Sequence, residues 1–119
     1  MSAEEIINSL LKLAVENEAS DMYIKSDKPG IFRLNGILQE IDMEAVSTAE
    51  ARDFITETVP YKFKDDCKHD GQIDYSYSIV GIGRFRVNGF FQRGCVSIVF
   101  RHVKDQAPTF DELNISNAS

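Results

Sequence analysis

The sequence predicts an α+β domain, an antiparallel sheet with helices packed on one face. Three observations carry that prediction. Two Ser-x-x-Glu capping boxes, Ser2 to Glu5 and Ser47 to Glu50, each open a stretch with apolar residues at helical spacing. Asn35-Gly36 lies between two short apolar runs, a strong hairpin signal because a type I′ turn needs positive φ at both central positions. From Gln72 to Val103 the chain alternates apolar and polar residues with the period of a half-buried strand.

Taken in order, the first element is an amphipathic helix ending near Asn17, its stripe made by Ile6, Leu10 and Leu13 with Ile7, Leu11 and Ala14. Asp21 to Lys25 alternates like a short strand, and Ser26-Asp27-Lys28-Pro29-Gly30 is a turn cluster. Ile31 to Leu34 and Ile37 to Ile41 form the hairpin around Asn35-Gly36. The second capped helix carries Ala51, Phe54, Ile55 and Thr58 on one face and is stopped by Pro60. Tyr61 to Lys68 mixes aromatic and charged residues in the manner of a short helix. Gln72 to Val80 follows as a strand with Ile73, Tyr75, Tyr77 and Ile79 on one face and Asp74, Ser76 and Ser78 on the other. Gly81-Ile82-Gly83 turns the chain into two further strands, and Thr109-Phe110-Asp111-Glu112 is a third capping box. Such a layout is compatible with a PAS-like or related small α+β fold.

With 119 residues the chain is long enough for one core, and 43% hydrophobic with 27% charged residues is an ordinary globular composition. The acidic start, Met1-Ser2-Ala3-Glu4-Glu5, is unlike the basic start of a secretory signal, which points to the cytoplasm. Cys67 and Cys95 are too few for a disulfide framework and are expected as free thiols; with His69 and His102 they offer no metal-ligand spacing. Asp65-Asp66 reads as a helix-surface charge run rather than a metal site. A net charge of −6 argues against broad nucleic-acid binding, so any anion site must be local.

Against that background the stretch Gly83 to Arg101, GRFRVNGFFQRGCVSIVFR, carries four arginines. A turn centred on Arg93-Gly94 sets Phe91 across from Val96, Gly89 from Ile98, Val87 from Phe100 and Phe85 from His102, an almost wholly apolar face. The opposite face pairs Phe90 with Ser97, Asn88 with Val99, Arg86 with Arg101 and Arg84 with Val103. Like charges placed directly across a strand pair cost about 0.2–1 kcal/mol, so something must offset Arg86 against Arg101. Three readings remain open on the pattern. The arginines pair with nearby acids such as Asp74 or Asp21, or extend into water. Alternatively they form a guanidinium clamp for an anion such as phosphate. The third reading likens GRFRVNGF to an RNA-recognition strand, which needs outward aromatics, whereas Phe85 and Phe91 fall on the apolar face. No nucleophile constellation and no GxxxxGK[ST] phosphate loop is present, and the glycines around Ile82 do not open a helix as a dinucleotide fingerprint requires. His102 reads as a strand-end residue and His69 as a solvated loop residue.

The segment EASDMYIKSDKPGIFRLNGIL resembles the ASDLHL…G.PP..R..G signature of the twitching-motility retraction ATPases PilT and PilU. GIGRFRVNGFFQR…VFR is similar to their GxxRFRVxxFxQR…R stretch, and PTFDEL to the segment that leads into their catalytic domain. The ordered motifs span nearly the whole chain. Tyr23 stands where the signature usually has His, and Gly30 where a second Pro is common.

The resemblance implies a PAS-like N-terminal domain over residues 1–108, with 109–119 beginning a linker to a RecA-like ATPase domain. It implies that six copies form a ring at the cytoplasmic base of a type IV pilus, on the inner membrane. The expected partners are the RecA-like domain of the same parent chain, neighbouring subunits of a homohexamer and the inner-membrane pilus platform protein, with no nucleic acid. Arg86 and Arg101, fifteen positions apart, match arginines that reach the terminal phosphates of the nucleotide, with Arg84 as a supporting residue. ATP with Mg would be bound by the parent protein. Within these 119 residues no cofactor, no metal and no catalytic residue is expected, so they do not hydrolyse ATP by themselves. The rival from another class is a free-standing PAS-like small-ligand sensor or interaction module, which requires a sizeable internal pocket.

Overall fold

The computed structural model describes residues 2–68, 71–92 and 94–104, and of 65–68 only the backbone. Helix α1 spans Ala3–Glu16; Ser2 Oγ accepts the Glu5 N–H at 3.2 Å and Glu5 Oε1 accepts the Ser2 N–H at 2.9 Å, closing the predicted capping box. Its buried residues are Ile7, Leu10, Leu11 and Ala14. Leu13 is exposed, contrary to the expected stripe. The reason is angular: a residue two positions on lies about 200° around the helix, so burying Leu11 turns Leu13 outward.

Strands β1 (Asp21–Lys25), β2 (Ile31–Leu34) and β3 (Ile37–Glu40) form a meander whose second turn has Asn35 at φ 53° and Gly36 at φ 79°, the positive pair that the sequence demanded. Helix α2 (Thr48–Thr58) opens on the second capping box, with Glu50 N–H on Ser47 Oγ at 3.1 Å, and buries Ala51, Phe54 and Ile55. A 3-10 helix follows over Tyr61–Lys68. Strands β4 (Gly71–Ile79), β5 (Gly83–Gln92) and β6 (Cys95–Val103) complete a six-stranded sheet of order β3-β2-β1-β6-β5-β4, antiparallel at every pairing. Every cross-strand pair expected in the arginine-bearing hairpin is present, Arg86 opposite Arg101 among them. The capping box at Thr109 and the proposed boundary after 108 lie outside the described residues.

Both helices cover one face of the sheet. Phe85, Val87 and Phe91 of β5 and Val96, Ile98 and Phe100 of β6 are at most 1% exposed beneath Ile7, Leu11, Phe54 and Ile55. The Phe54 ring meets the Phe100 and Tyr77 rings edge-on, with centroids 5.6 and 5.3 Å away. Each such side chain contributes roughly 1.5–3 kcal/mol through burial, which fixes the hairpin as a rigid platform. Alternation then forces the even-numbered residues of β5 onto the uncovered face.

Candidate functional site

On the uncovered face the strand registers set five residues in a row across the sheet: Arg33, Asp21, Arg101, Arg86 and Ser76. The neighbouring row reads Ile31, Tyr23, Val99, Asn88 and Asp74. The predicted repulsion between Arg86 and Arg101 is met from both sides. Arg86 Nη2 donates to Asp74 Oδ2 at 3.0 Å, and Arg101 Nε donates to Asp21 Oδ1 at 3.2 Å. These are the two acids that the pattern offered as partners.

The two ion pairs differ in kind. The Arg86 and Asp74 side chains are 61% and 46% exposed, so water competes for both, and such a pair is worth about 0–1 kcal/mol. The Asp21 carboxylate is only 7% exposed, whereas Arg101 is 72% exposed. Burial of a carboxylate demands partners, and Asp21 has a second one: Arg33 Nε lies 3.4 Å from Oδ2. Arg33 Nε also donates to the Tyr23 hydroxyl at 3.2 Å, and its guanidinium sits 5.9 Å from the centroid of that ring. Tyr23, at the position where the retraction-ATPase signature has His, is thus built into the charged row. Gly30, where a second Pro is common, is buried against Ile24, Ile41 and Met43, so the chain remains closely packed there.

Between the two arginines lies a solvent-open concavity of about 430 Å³, lined by Asp74, Arg86, Asn88, Val99 and Arg101. Its shape and charge suit a small anion approached from outside. Arg84 lines a different concavity, with Val15, Glu18, Ile82, His102 and Lys104, at the end of the sheet. His102 occupies the predicted strand end, with its ring 5.2 Å from that of Phe85. Cys95 is a free thiol 3.7 Å from Ser26 Oγ. The side chains of Cys67, His69, Asp65 and Asp66, and residue Arg93, lie outside the described residues.

A small-ligand sensor needs internal space, and the concavity that reaches the core beside Leu11, Met22, Phe85 and Phe100 has no room for a water molecule. A base-stacking surface needs outward aromatics, but Phe85 and Phe91 are 1% exposed, leaving Phe90 as the hairpin's exposed ring among the described residues. Sequence reasoning did not single out Arg33. The available signal was strand parity: Arg33 shares a face with Asp21 once β1 and β2 pair, but the pairing of β1 with β6 joins residues eighty positions apart and leaves no local mark.

No family model matches the chain. It is 30% identical over 106 residues to the type IV pilus ATPase PilU of Pseudomonas aeruginosa, an alignment covering 89% of this chain and 28% of that protein. It is 27% identical over 109 residues to the type IV pilus retraction ATPase PilT of the same organism, covering 92% of this chain and 32% of PilT. Among solved structures, the pilus retraction motor PilT with bound ADP superposes with a TM-score of 0.71 at 27% identity, over 98% of this chain and 33% of that one. The Legionella pneumophila ATPase DotB shares the fold, with a TM-score of 0.75 at 22% identity over 98% of this chain. The chain thus spans about a third of the length of these proteins. Over about nine tenths of its residues the chain is a relative of the N-terminal domain of the PilT- and PilU-type secretion ATPases.

Proposed function

We propose that this chain is the N-terminal, PAS-like module of a type IV pilus retraction ATPase, and that Arg86 and Arg101 reach the terminal phosphates of a nucleotide held by a RecA-like domain. The observation that carries the reading is the register that sets these two arginines directly opposite each other, on the open face of a hairpin whose other face is fully packed. Two planar, permanently charged forks on adjacent strands match the oxygens of a phosphate group, and the rigid backbone beneath them lowers the entropy lost on engagement. The acids now beside them leave the arginines available: Asp74 competes for Arg86 but is half in water and can be displaced, and Asp21 takes only the Nε of Arg101.

In this reading the RecA-like domain follows in the same parent chain and binds ATP with Mg. Six subunits form a cytoplasmic ring beneath the inner-membrane pilus platform protein, and neighbouring subunits complete one another's surfaces. Arginines that bind a terminal phosphate interact differently with ATP and ADP, and only such a difference can bias a rotation of this domain against its neighbour. Their charge also stabilises the phosphoryl group in flight. Replacing Arg86 or Arg101 by Ala in the full-length protein is expected to lower ATP turnover by on the order of a hundredfold or more. Arg86→Ala is expected to leave the melting of this domain unchanged, whereas Arg101→Ala lowers it because the buried Asp21 carboxylate keeps only Arg33 as an ion-pair partner. Steady-state ATPase assays and circular dichroism measure the two; unchanged turnover in either variant refutes the proposal.

A further inference from the structure

We infer that Asp21 is the positioning residue of the arginine pair, holding Arg101 by its Nε so that the terminal nitrogens face outward for a phosphate group. The inference rests on the phosphate reading above and assigns a role within it to a residue on a different strand.

A guanidinium has five N–H donors in a fixed plane, one on Nε and four on the two Nη atoms. The Arg101–Asp21 contact uses Nε at 3.2 Å, and among the described residues the Nη atoms of Arg101 have no partner. The end-on edge of the fork, whose two nitrogens can chelate two oxygens, is therefore open while the side chain is already restrained. Arg86 is held the other way: its Nη2 is taken by Asp74, so an incoming phosphate must displace that carboxylate. The two acids accordingly act with opposite sign. Asp74 competes with the anion, and Asp21 supports its capture.

Asp21 is fit for that part because it stays put. β1 lies between β2 and β6, so the carboxylate sits directly across from an arginine on each side, Arg33 and Arg101. Its second oxygen is 3.4 Å from Arg33 Nε, and Ser20 Oγ and Tyr23 Oη lie 3.4 and 3.5 Å from the same oxygen. With 7% of its side chain exposed, the carboxylate keeps its anchorage while the outer face of Arg101 engages a ligand. A rotamer-rich arginine that is fixed beforehand loses less freedom on binding.

The test compares Asp21→Asn and Asp74→Asn in the full-length protein, each alone and combined with Arg101→Ala, with ATP as the probe. Asp21→Asn is expected to lower kcat about tenfold, the size of one misplaced charge-assisted hydrogen bond, and to add nothing to the loss in Arg101→Ala. Asp74→Asn is expected to lower KM roughly two- to fivefold, the range of one exposed ion pair. In the 119-residue chain labelled with nitrogen-15, the Arg101 Nε–H resonance is expected to be protected from solvent exchange and to lose that protection in Asp21→Asn. Normal turnover in Asp21→Asn beside a crippled Arg101→Ala overturns the positioning role and leaves the arginine reading intact; normal turnover in Arg101→Ala overturns both. Losses that add in the double variant mean structural damage and also overturn it. Should Asp21→Asn not fold, Arg101→Lys decides: a single ammonium cannot hold Asp21 and chelate phosphate together, so full activity in that variant refutes the inference.

Discussion

Adding one methyl group at Gly89 tests how closely helix α2 is held to the sheet. Gly89 lies on the core face of β5, between Ile73 of β4 and Ile98 of β6, in ordinary strand backbone; it is there for space and not for a turn. A Cβ at this position would stand 2.7 Å from Ile55 Cδ1 and 3.3 Å from Ile73 Cγ2. Carbon atoms prefer a separation of about 3.5–4.0 Å, so the Ile55 side chain or the helix itself must give way by about 1 Å. Overpacking of this kind costs about 1–3 kcal/mol, against which the stiffer unfolded chain of Ala returns about 0.4–1 kcal/mol. Gly89→Ala is therefore expected to destabilise the domain by about 1–2 kcal/mol, a melting shift of roughly 4–8 °C for a chain of this length. Ile55→Val deletes the offending Cδ1 and alone costs about 0.5–1.5 kcal/mol. Combined, the two are expected to cost about 1 kcal/mol less than their sum, because the new methyl occupies the space that the lost one vacates. Urea denaturation followed by circular dichroism gives all three values, with an unchanged m as the check that one transition is being compared. Additive losses, or a Gly89→Ala variant as stable as the parent, would show that α2 does not press on the sheet at this point.

Two further outcomes follow from polar groups that hold the elements together. Ser26 is 5% exposed and its Oγ accepts the Val96 N–H at 3.0 Å, tying the end of β1 to β6; Ser26→Ala leaves that buried donor unpaired and is expected to cost about 1–3 kcal/mol, with faster hydrogen exchange at Val96. Unaltered exchange there would count against it. Tyr77 Oη lies 2.6 Å from Asn8 Oδ1 and 3.0 Å from Glu4 Oε2, and burial, with the Glu4 contact next, pushes its pKa up to about 12. The folded value stands above the ordinary value of about 10, so the neutral hydroxyl lends stability that is complete below pH 10 and lost as pH rises toward 12. Tyr77→Phe is expected to flatten the melting temperature across that window; a slope equal to that of the parent refutes the assignment.

The fold was legible where its determinants are local. Capping boxes, the Asn35-Gly36 turn and period-two alternation are written in neighbouring residues, and they placed both helices and every strand of the two meanders. The β5–β6 register was readable because any one-residue slip would turn Phe85, Val87 and Phe91 into water. The exposed side of Leu13 was not readable, since Leu10, Leu11, Leu13 and Ala14 cover too much of the helix for the sequence to say which edge meets the sheet. The charged row was legible only in part. Arg86 and Arg101 follow from hairpin parity, and Asp74 and Asp21 were available as partners, but Asp21 becomes a buried anchor only when β1 inserts between β2 and β6. That insertion is decided by which sheet edges remain open after the hairpins form, and no short window of sequence records it.

How an acidic chain can present an anion site is then a question of distance. At physiological ionic strength charges are screened over about 8 Å, so the net charge of the whole molecule counts for little beside the groups in the row itself. With Asp74 of the neighbouring row counted in, three guanidinium groups face two carboxylates, leaving one positive charge in excess. Asp21 is buried and committed to Arg33 and Arg101, which makes Asp74 the replaceable anion. On the proposed reading a terminal phosphate brings more charge than Asp74 and more acceptor oxygens, and so takes Arg86 from it; when that phosphate is gone, Asp74 recovers the arginine. The hairpin then alternates between an intramolecular and an intermolecular partner of the same guanidinium. The two states differ by about the strength of one exposed ion pair, small enough for a bound nucleotide to decide between them.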